Sequence, residues 1–376
     1  MIPFNQAYLV GKEVHYIYDA VASGHISGNG KYTRKCQAFF EQRYGFKKAL
    51  LTTSGTDALE MCALLLDIRP GDEVIMPSYT FVSTALAFVR QGAKIVFIDS
   101  RQDHPDMDEN AIRDLITPKT KVIVCVHYAG VACNMEQIMA IAKKHDIYVV
   151  EDAAHAIDSF YKGKPLGSFG HLAAFSFHET KNIQCGEGGL LAVNDVRFCT
   201  RSEIIWEKGT NRAEFFRGEA DKYGWVDIGS SFLPSEITAA FLWAQLESME
   251  EIQKKRRSIW EAYASKLYPL NDISRNILPK IPQDASNNGH LFYLVCRDNN
   301  EQQALISFLK SAGIEAVFHY LSLHKSSYYS GLHDGRPLPY ADRYSDCLVR
   351  LPFYYELTND KIDFVCKKIL KYFDII

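Results

Sequence analysis

Four short runs hold the residue types that covalent and acid–base chemistry uses. They are TSGTDAL (53–59), PSYTFVST (77–84), EDAAHA (151–156) and SFHETKNIQCGEGG (176–189). In the first, Gly55 lets a ligand approach the backbone, Ser54 and Thr56 offer hydroxyls, and the free N–H groups of a helix start suit a phosphate. In the second, Phe81 can lie against a planar ring. In the third, a carboxylate can hold a ring nitrogen protonated and so make the ring an electron sink, while His155 can contact the ring or an oxygen on it. In the fourth, the Lys181 amine can condense with an aldehyde and, once released, serve as a base at carbon. Ser176 can donate to the phosphate, and Glu187 reads as a turn or scaffold residue.

Each run alone has a plainer reading. Ser-Gly-Thr before a helix is commonly an N-cap, as is a lone Asp. Phe81 and His155 fit a core, and a lysine is ordinarily a solvated charge. The combination carries the argument: phosphate cradle, ring stacker, acid and lysine occur in that chain order, each after an expected strand. Glu151 and Asp152 point to opposite sides of their strand, so one of them faces the ligand. Periodicity does not choose between them; Asp152, nearer the strand end, is the candidate.

The elements that must position these groups follow from hydrophobic patterning. Strands are expected at 48–52, 73–76, 94–99, 121–127, 147–152, 172–177 and 189–193. Helices fall between several of them, at 56–66, 81–91 and 135–145. Continuous apolar strands separated by helices predict an α/β domain with a mainly parallel sheet buried on both faces. Ligands on such sheets bind at the carboxyl ends of the strands, where all four runs lie. Helices are expected at 203–208 and, as one long linking element, at 235–263. A second pattern follows, with strands at 292–297 and 314–318 and helices at 301–311 and 360–373. It reads as a small α+β domain, so the chain divides into 1–250 and 251–376.

Composition narrows the function classes. The 376 residues are 47% hydrophobic and 23% charged, with a formal net charge of −3 and dispersed basic residues. This excludes an evident nucleic-acid or membrane surface. No apolar run is long enough to span a bilayer. The opening MIPFNQAYLVGKE lacks the flank and core of a signal peptide, and nine scattered cysteines fit reduced thiols, so a cytoplasmic location is expected. No Cys or His spacing suggests a metal. GKPLGSFG (163–170) lies too late, and with the wrong spacing, for a dinucleotide fingerprint.

The runs SGTDAL, MPSYTFVSTA, VHYAG, VEDAAHA, GSFGHLAAFSFHETKN and GEGG resemble the DegT/DnrJ/EryC1 family of sugar aminotransferases over nearly the whole chain. The resemblance implies fold type I and the cofactor pyridoxal 5'-phosphate (PLP), with Lys181 as the Schiff-base residue and Asp152 as the pyridinium partner. It places Phe81 at the stacking position, Gly55, Thr56 and Ser176 at the phosphate, and His155 at the ring oxygen. The family's Gly-Tyr-Asn segment, whose Asn reaches the partner subunit's phosphate, is GSSF here and puts Ser231 in that place. HYLSLH (319–324) matches a substrate-side motif, making Tyr320 and His324 expected sugar contacts. Arg212 joins them from the segment 208–231, expected to cross a two-fold interface of a homodimer. Residues 204–231 narrow the resemblance to members that transfer the amino group of L-glutamate to a dTDP-4-keto-6-deoxy sugar for O-antigen or related polysaccharides. A 3-keto sugar nucleotide is the alternative acceptor. Related sugar dehydratases carry His where Lys181 stands, and a non-catalytic regulator would not need lysine, acid and phosphate positions together.

Overall fold

The computed structural model describes residues 1–273 and 278–376. Helices α1 (Glu13–Ala22) and α2 (Lys31–Tyr44) lead into the first strand, β1 (Lys48–Thr52). Alternation then sets in: α3 (Gly55–Leu65), β2 (Glu73–Pro77), α4 (Val82–Val89), β3 (Lys94–Ile98), α5 (Ile112–Leu115), β4 (Thr120–Val126), α6 (Met135–His145) and β5 (Tyr148–Asp152). A small hairpin, β6 (Phe160–Tyr161) with β7 (Lys164–Pro165), precedes β8 (Leu172–Ser176) and β9 (Gly189–Val193).

The main sheet has the order β1-β9-β8-β5-β4-β2-β3. Strands β8, β5, β4, β2 and β3 pair in parallel, while β9 runs antiparallel to both β1 and β8. Alternate residues divide between two cores, as a pleat requires. Leu50, Val74, Val124 and Val150 go to one; Leu51, Ile75, Ile123 and Val149 go to the other. Burial on both faces explains why these strands read as unbroken apolar runs rather than alternating ones.

Helices α7 (Cys199–Trp206) and α8 (Arg212–Phe216) precede α9 (Glu236–Glu247) and α10 (Met249–Lys266). The single linking helix expected over 235–263 is therefore two helices. Ser248 leaves helical geometry (φ −105°, ψ 11°), its N–H turning back to the Gln245 carbonyl. Leu246 and Met249, on either side of the break, are both buried in one core.

The C-terminal part holds β10 (Tyr293–Val295), α11 (Asn299–Ser311), β11 (Val317–Phe318), α12 (Pro339–Cys347), β12 (Leu348–Arg350) and α13 (Asn359–Tyr372). Its sheet is antiparallel in the order β10-β12-β11, so the middle strand is the last in sequence. The strand expected over 314–318 shrinks to two residues. The first residues of the chain tie onto this part: Ile2 bridges Ile314, and Phe353 N–H donates to the Phe4 carbonyl. Among the described residues no helix is long and apolar enough to cross a membrane, and no cluster of His, Cys, Asp or Glu could hold a metal.

Candidate active site

A cavity of about 730 Å3 opens at the carboxyl ends of β1, β5 and β8. Its walls include Ser54, Gly55, Thr56, Phe81, Asp152, His155, Ser176 and Lys181, brought together from four separate segments. The strand-end rule thus gathers the residues into one place.

The floor is tight at its glycines. Ser54 caps α3, its side chain accepting from Asp57 N at 3.1 Å. Thr56 Oγ1 meets Ser83 Oγ at 2.7 Å. A Cβ on Gly55 would lie 3.0 Å from Ser176 Cβ, and one on Gly189 only 2.3 Å from the Ser54 carbonyl oxygen. Both positions need glycine because strands β8 and β9 press directly against the loop. The resulting ring of hydroxyls and N–H groups at a helix start suits a phosphate.

Strand β5 ends on two carboxylates with opposite fates. Glu151 is fully buried away from the cavity and accepts from Gly167 N, Phe169 N and Gly170 N at 2.6–2.7 Å and from His127 Nε2 at 3.0 Å. Asp152 faces the cavity, accepting from Thr84 Oγ1 at 2.7 Å and Ala154 N at 3.2 Å. Burial raises the Asp152 carboxyl, while Thr84, Ala154 and the Lys181 amine work the other way.

Lys181 sits in the turn between β8 and β9, its N–H bonded to the His178 carbonyl at 2.8 Å. Among the described residues its amine has no hydrogen-bond or ion-pair partner. Burial lowers its pKa to about 8, Asp152 opposing the shift and Arg350 adding to it. His155 accepts from Ala129 N at 3.3 Å through Nδ1 and faces the Tyr320 hydroxyl at 3.2 Å through Nε2. Its ring stacks on His290 with centroids 4.2 Å apart. Burial, then the charges of Lys181 and Arg350, hold His155 well below its ordinary pKa, so the imidazole is neutral.

Phe81 stands 55% exposed at the mouth, 6.1 Å from the Tyr320 ring. Tyr320 itself adopts a left-handed backbone (φ 56°), which turns its ring into the cavity beside His319. His324 departs from the expected sugar contact. Its Nδ1 meets Ser78 Oγ at 2.7 Å and its Nε2 lies 3.5 Å from Asp342, so the ring braces the 77–84 turn and lines none of the cavity. Arg212 and Ser231 also stand outside it: Arg212 rests over Phe216 and Tyr223, and Ser231 bridges Glu207 at the surface. Among the lining residues that escaped the sequence reading are His290, His319 and Arg350. His319 adjoins Tyr320 in HYLSLH and was within reach of that motif; the other two carry no local signal.

The cavity fits PLP on its own geometry: a cradle that a Cβ would fill, an unpartnered amine, and an acid on the same cavity wall. The model of the DegT/DnrJ/EryC1/StrS aminotransferase family matches residues 8–370. The chain belongs to this family. Members and likenesses span it end to end. It is 31% identical over 376 residues to GDP-perosamine synthase of Escherichia coli O157:H7, covering 99% of this chain and 98% of that one. A Streptococcus pneumoniae protein, solved in PLP, PMP (the pyridoxamine form of the cofactor) and apo forms, superposes in its PMP form with TM-score 0.90 at 25% identity over 100% of both chains. DesV of S. venezuelae, solved with a ketimine intermediate, gives 0.88 at 27% identity over 99% of this chain and 98% of DesV. The fold is type I, and the family member described here is a PLP-dependent sugar aminotransferase.

Proposed function

We propose that this enzyme moves the amino group of L-glutamate to C4 of dTDP-4-keto-6-deoxy-D-glucose, supplying an amino sugar for O-antigen or a related surface polysaccharide. The observation that carries the chemistry is the unpartnered, weakly basic Lys181 amine sharing one cavity with Asp152. The narrower substrate rests on the likeness of residues 204–231 to the dTDP-sugar subgroup. A second reading, a GDP-linked 4-keto sugar, is favoured by the 31% identity to GDP-perosamine synthase.

Ser54, Gly55, Thr56 and Ser176 would hold the phosphate, Phe81 one ring face, and Asp152 the ring nitrogen. When bound, PLP supplies an electron sink that makes an α-proton removable. Lys181 Nζ would anchor it and, once displaced, would move the donor's α-proton to the cofactor carbon, then in the second half-reaction move a proton from there to the former keto carbon of the sugar. An amine near pKa 8 is suited to both directions at neutral pH. Neutral His155, backed by His290, presents Nε2 and the Tyr320 hydroxyl toward the reacting side. Residues 1–250 form the PLP-binding unit, and 251–376 contribute His290, His319, Tyr320 and Arg350 to its wall. The segment 208–231 exposes Phe216, Tyr223, Trp225, Val226 and Ile228, an apolar surface that suits a two-fold partner. In a homodimer it would bring Ser231 and Arg212 to the partner's site.

The test incubates the holoenzyme with glutamate and either dTDP-4-keto-6-deoxyglucose or its GDP-linked counterpart, and assigns the product by NMR. The dTDP sugar should be aminated at C4. Amination of the GDP sugar alone, or turnover only when a 3-keto sugar nucleotide is supplied in its place, would replace this reading.

A further inference from the structure

Asn182 follows Lys181 in the chain, and its buried side-chain amide meets three partners. Nδ2 donates to Gln253 Oε1 at 2.9 Å and to the Asn288 carbonyl at 2.9 Å, while Oδ1 lies 2.7 Å from His290 Nδ1. All three partners come from α10 and from the stretch ahead of β10. Both neighbours of Nδ2 are oxygens, which fixes which end of the amide is which. His290 must therefore carry its proton on Nδ1 and donate it to Asn182.

The partners are themselves tied down. Asn288 Nδ2 donates to the His155 carbonyl at 2.7 Å and to the Ile157 carbonyl at 2.9 Å, and Gln253 Nε2 donates to the Ile157 carbonyl at 3.3 Å. Arg256, one turn along α10 from Gln253, donates to the Gly289 and His290 carbonyls at 3.0 and 2.7 Å. One buried polar network thus links the residue beside Lys181 to the main chain at His155. Such a network holds its members in one arrangement, and losing a member strands the others. Within the turn, Ile183 is fully buried in a core and Asn182 is clamped, yet the Lys181 amine has no partner. Its place rests on a flexible four-carbon stem and on where the main chain at 181–182 is held.

Resting on the aminotransferase reading above, we propose that Asn182 is a positioning residue for the proton transfer. It fixes the main chain beneath Lys181 against α10 and residues 288–290, so that the amine, once displaced, stays in reach of the carbon whose proton it moves. A base that must reach carbon is sensitive to such support, since a misplacement of about 1 Å can cost about 100-fold in rate. Binding of the cofactor and of the donor depends on other groups: the phosphate cradle, Phe81 and Asp152 lie on segments that Asn182 does not touch.

The experiment compares unsubstituted holoenzyme with Asn182→Ala and with Gln253→Leu, which removes one of the three partners at a side chain that does not line the cavity. Bleaching of the cofactor's visible absorbance by saturating L-glutamate, carrying hydrogen or deuterium at C2, reads the proton step. Asn182→Ala should slow it about 100-fold and Gln253→Leu about tenfold, each with an isotope effect at least as large as that of the unsubstituted enzyme. The dissociation constants of PLP and of 2-methyl-L-glutamate, which has no α-hydrogen to lose, should stay within about threefold. In PLP-free protein, hydrogen exchange should quicken at 178–185 and 287–290 and not elsewhere. Unchanged saturating bleaching, or a slowing that lacks the isotope effect, overturns the proposal. So does a loss carried by either dissociation constant, or faster exchange spread over the whole chain. Should Asn182→Ala not fold, Gln253→Leu decides by the same readouts. Bleaching by glutamate without amination of any keto sugar nucleotide would remove the sugar reading and leave Asn182 standing; no bleaching of the unsubstituted enzyme would remove both.

Discussion

The Lys181 amine offers the sharpest quantitative handle. Its pKa falls from 10.5 to about 8, chiefly through burial. At pH 7 that multiplies the neutral, nucleophilic fraction by about 300, since each unit is a factor of ten. The same shift costs the PLP-free protein about 3 kcal/mol while the amine is protonated. The sign follows from proton counting. Between pH 8 and 10.5 the unfolded chain keeps a proton that the folded chain has released, so folded stability rises with pH across that window. Below pH 8 the whole penalty applies. Two assays check this on PLP-free protein. Competitive acetylation, mapped by mass spectrometry, should show Lys181 titrating near pH 8, well before exposed lysines. Urea unfolding should find Lys181→Met more stable than the unsubstituted protein by up to about 3 kcal/mol at pH 7, with the advantage gone by about pH 10.5. A Lys181 that titrates with the surface lysines, or a Met variant with no pH-dependent advantage, would refute the reasoning.

The two carboxylates of β5 should separate cleanly. Asp152→Asn should lower transamination kcat by about 100- to 1000-fold, the range for a preorganised electrostatic group, with little change in the urea midpoint. Glu151→Ala should instead strip the partners of three backbone N–H groups and His127, costing about 3–5 kcal/mol in urea unfolding. A Glu151 variant of near-normal stability would contradict that assignment. Gly189→Ala should push the Ser54 carbonyl, which cannot rotate away, and weaken PLP binding at least about tenfold by equilibrium dialysis; unchanged affinity would show that the loop has slack.

The main sheet was readable because burial on both faces leaves its strands as plain apolar runs, and all seven of its strands lie within a residue of the expected bounds. The two helices at 13–22 and 31–44 were overlooked, although Tyr32, Cys36, Phe40 and Tyr44 repeat at every fourth residue and are all buried. The small sheet was harder. Its strands are two or three residues long, too short for any period to show, and β12 pairs with strands distant in sequence. That is why Arg350 and His290 went unseen. Gly55, Thr56, Phe81, Asp152, His155, Ser176 and Lys181 were singled out by their places after strands, and all of them line the cavity. His324 came from a motif alone, and local geometry turned its ring toward Ser78 instead.

One topological detail bears on how the enzyme is made. The first strand, β1, has a single neighbour in the sheet, β9, and Lys48 pairs with Val193. A ribosome adding about 5–20 residues per second needs on the order of ten to thirty seconds to deliver that partner, during which β1 has an open edge. Gly189, which opens β9, is also what presses on Ser54. The nascent chain therefore has no finished phosphate cradle until the sheet closes at that edge. PLP arriving earlier finds nothing to grip, and an aggregation-prone strand must be shielded meanwhile.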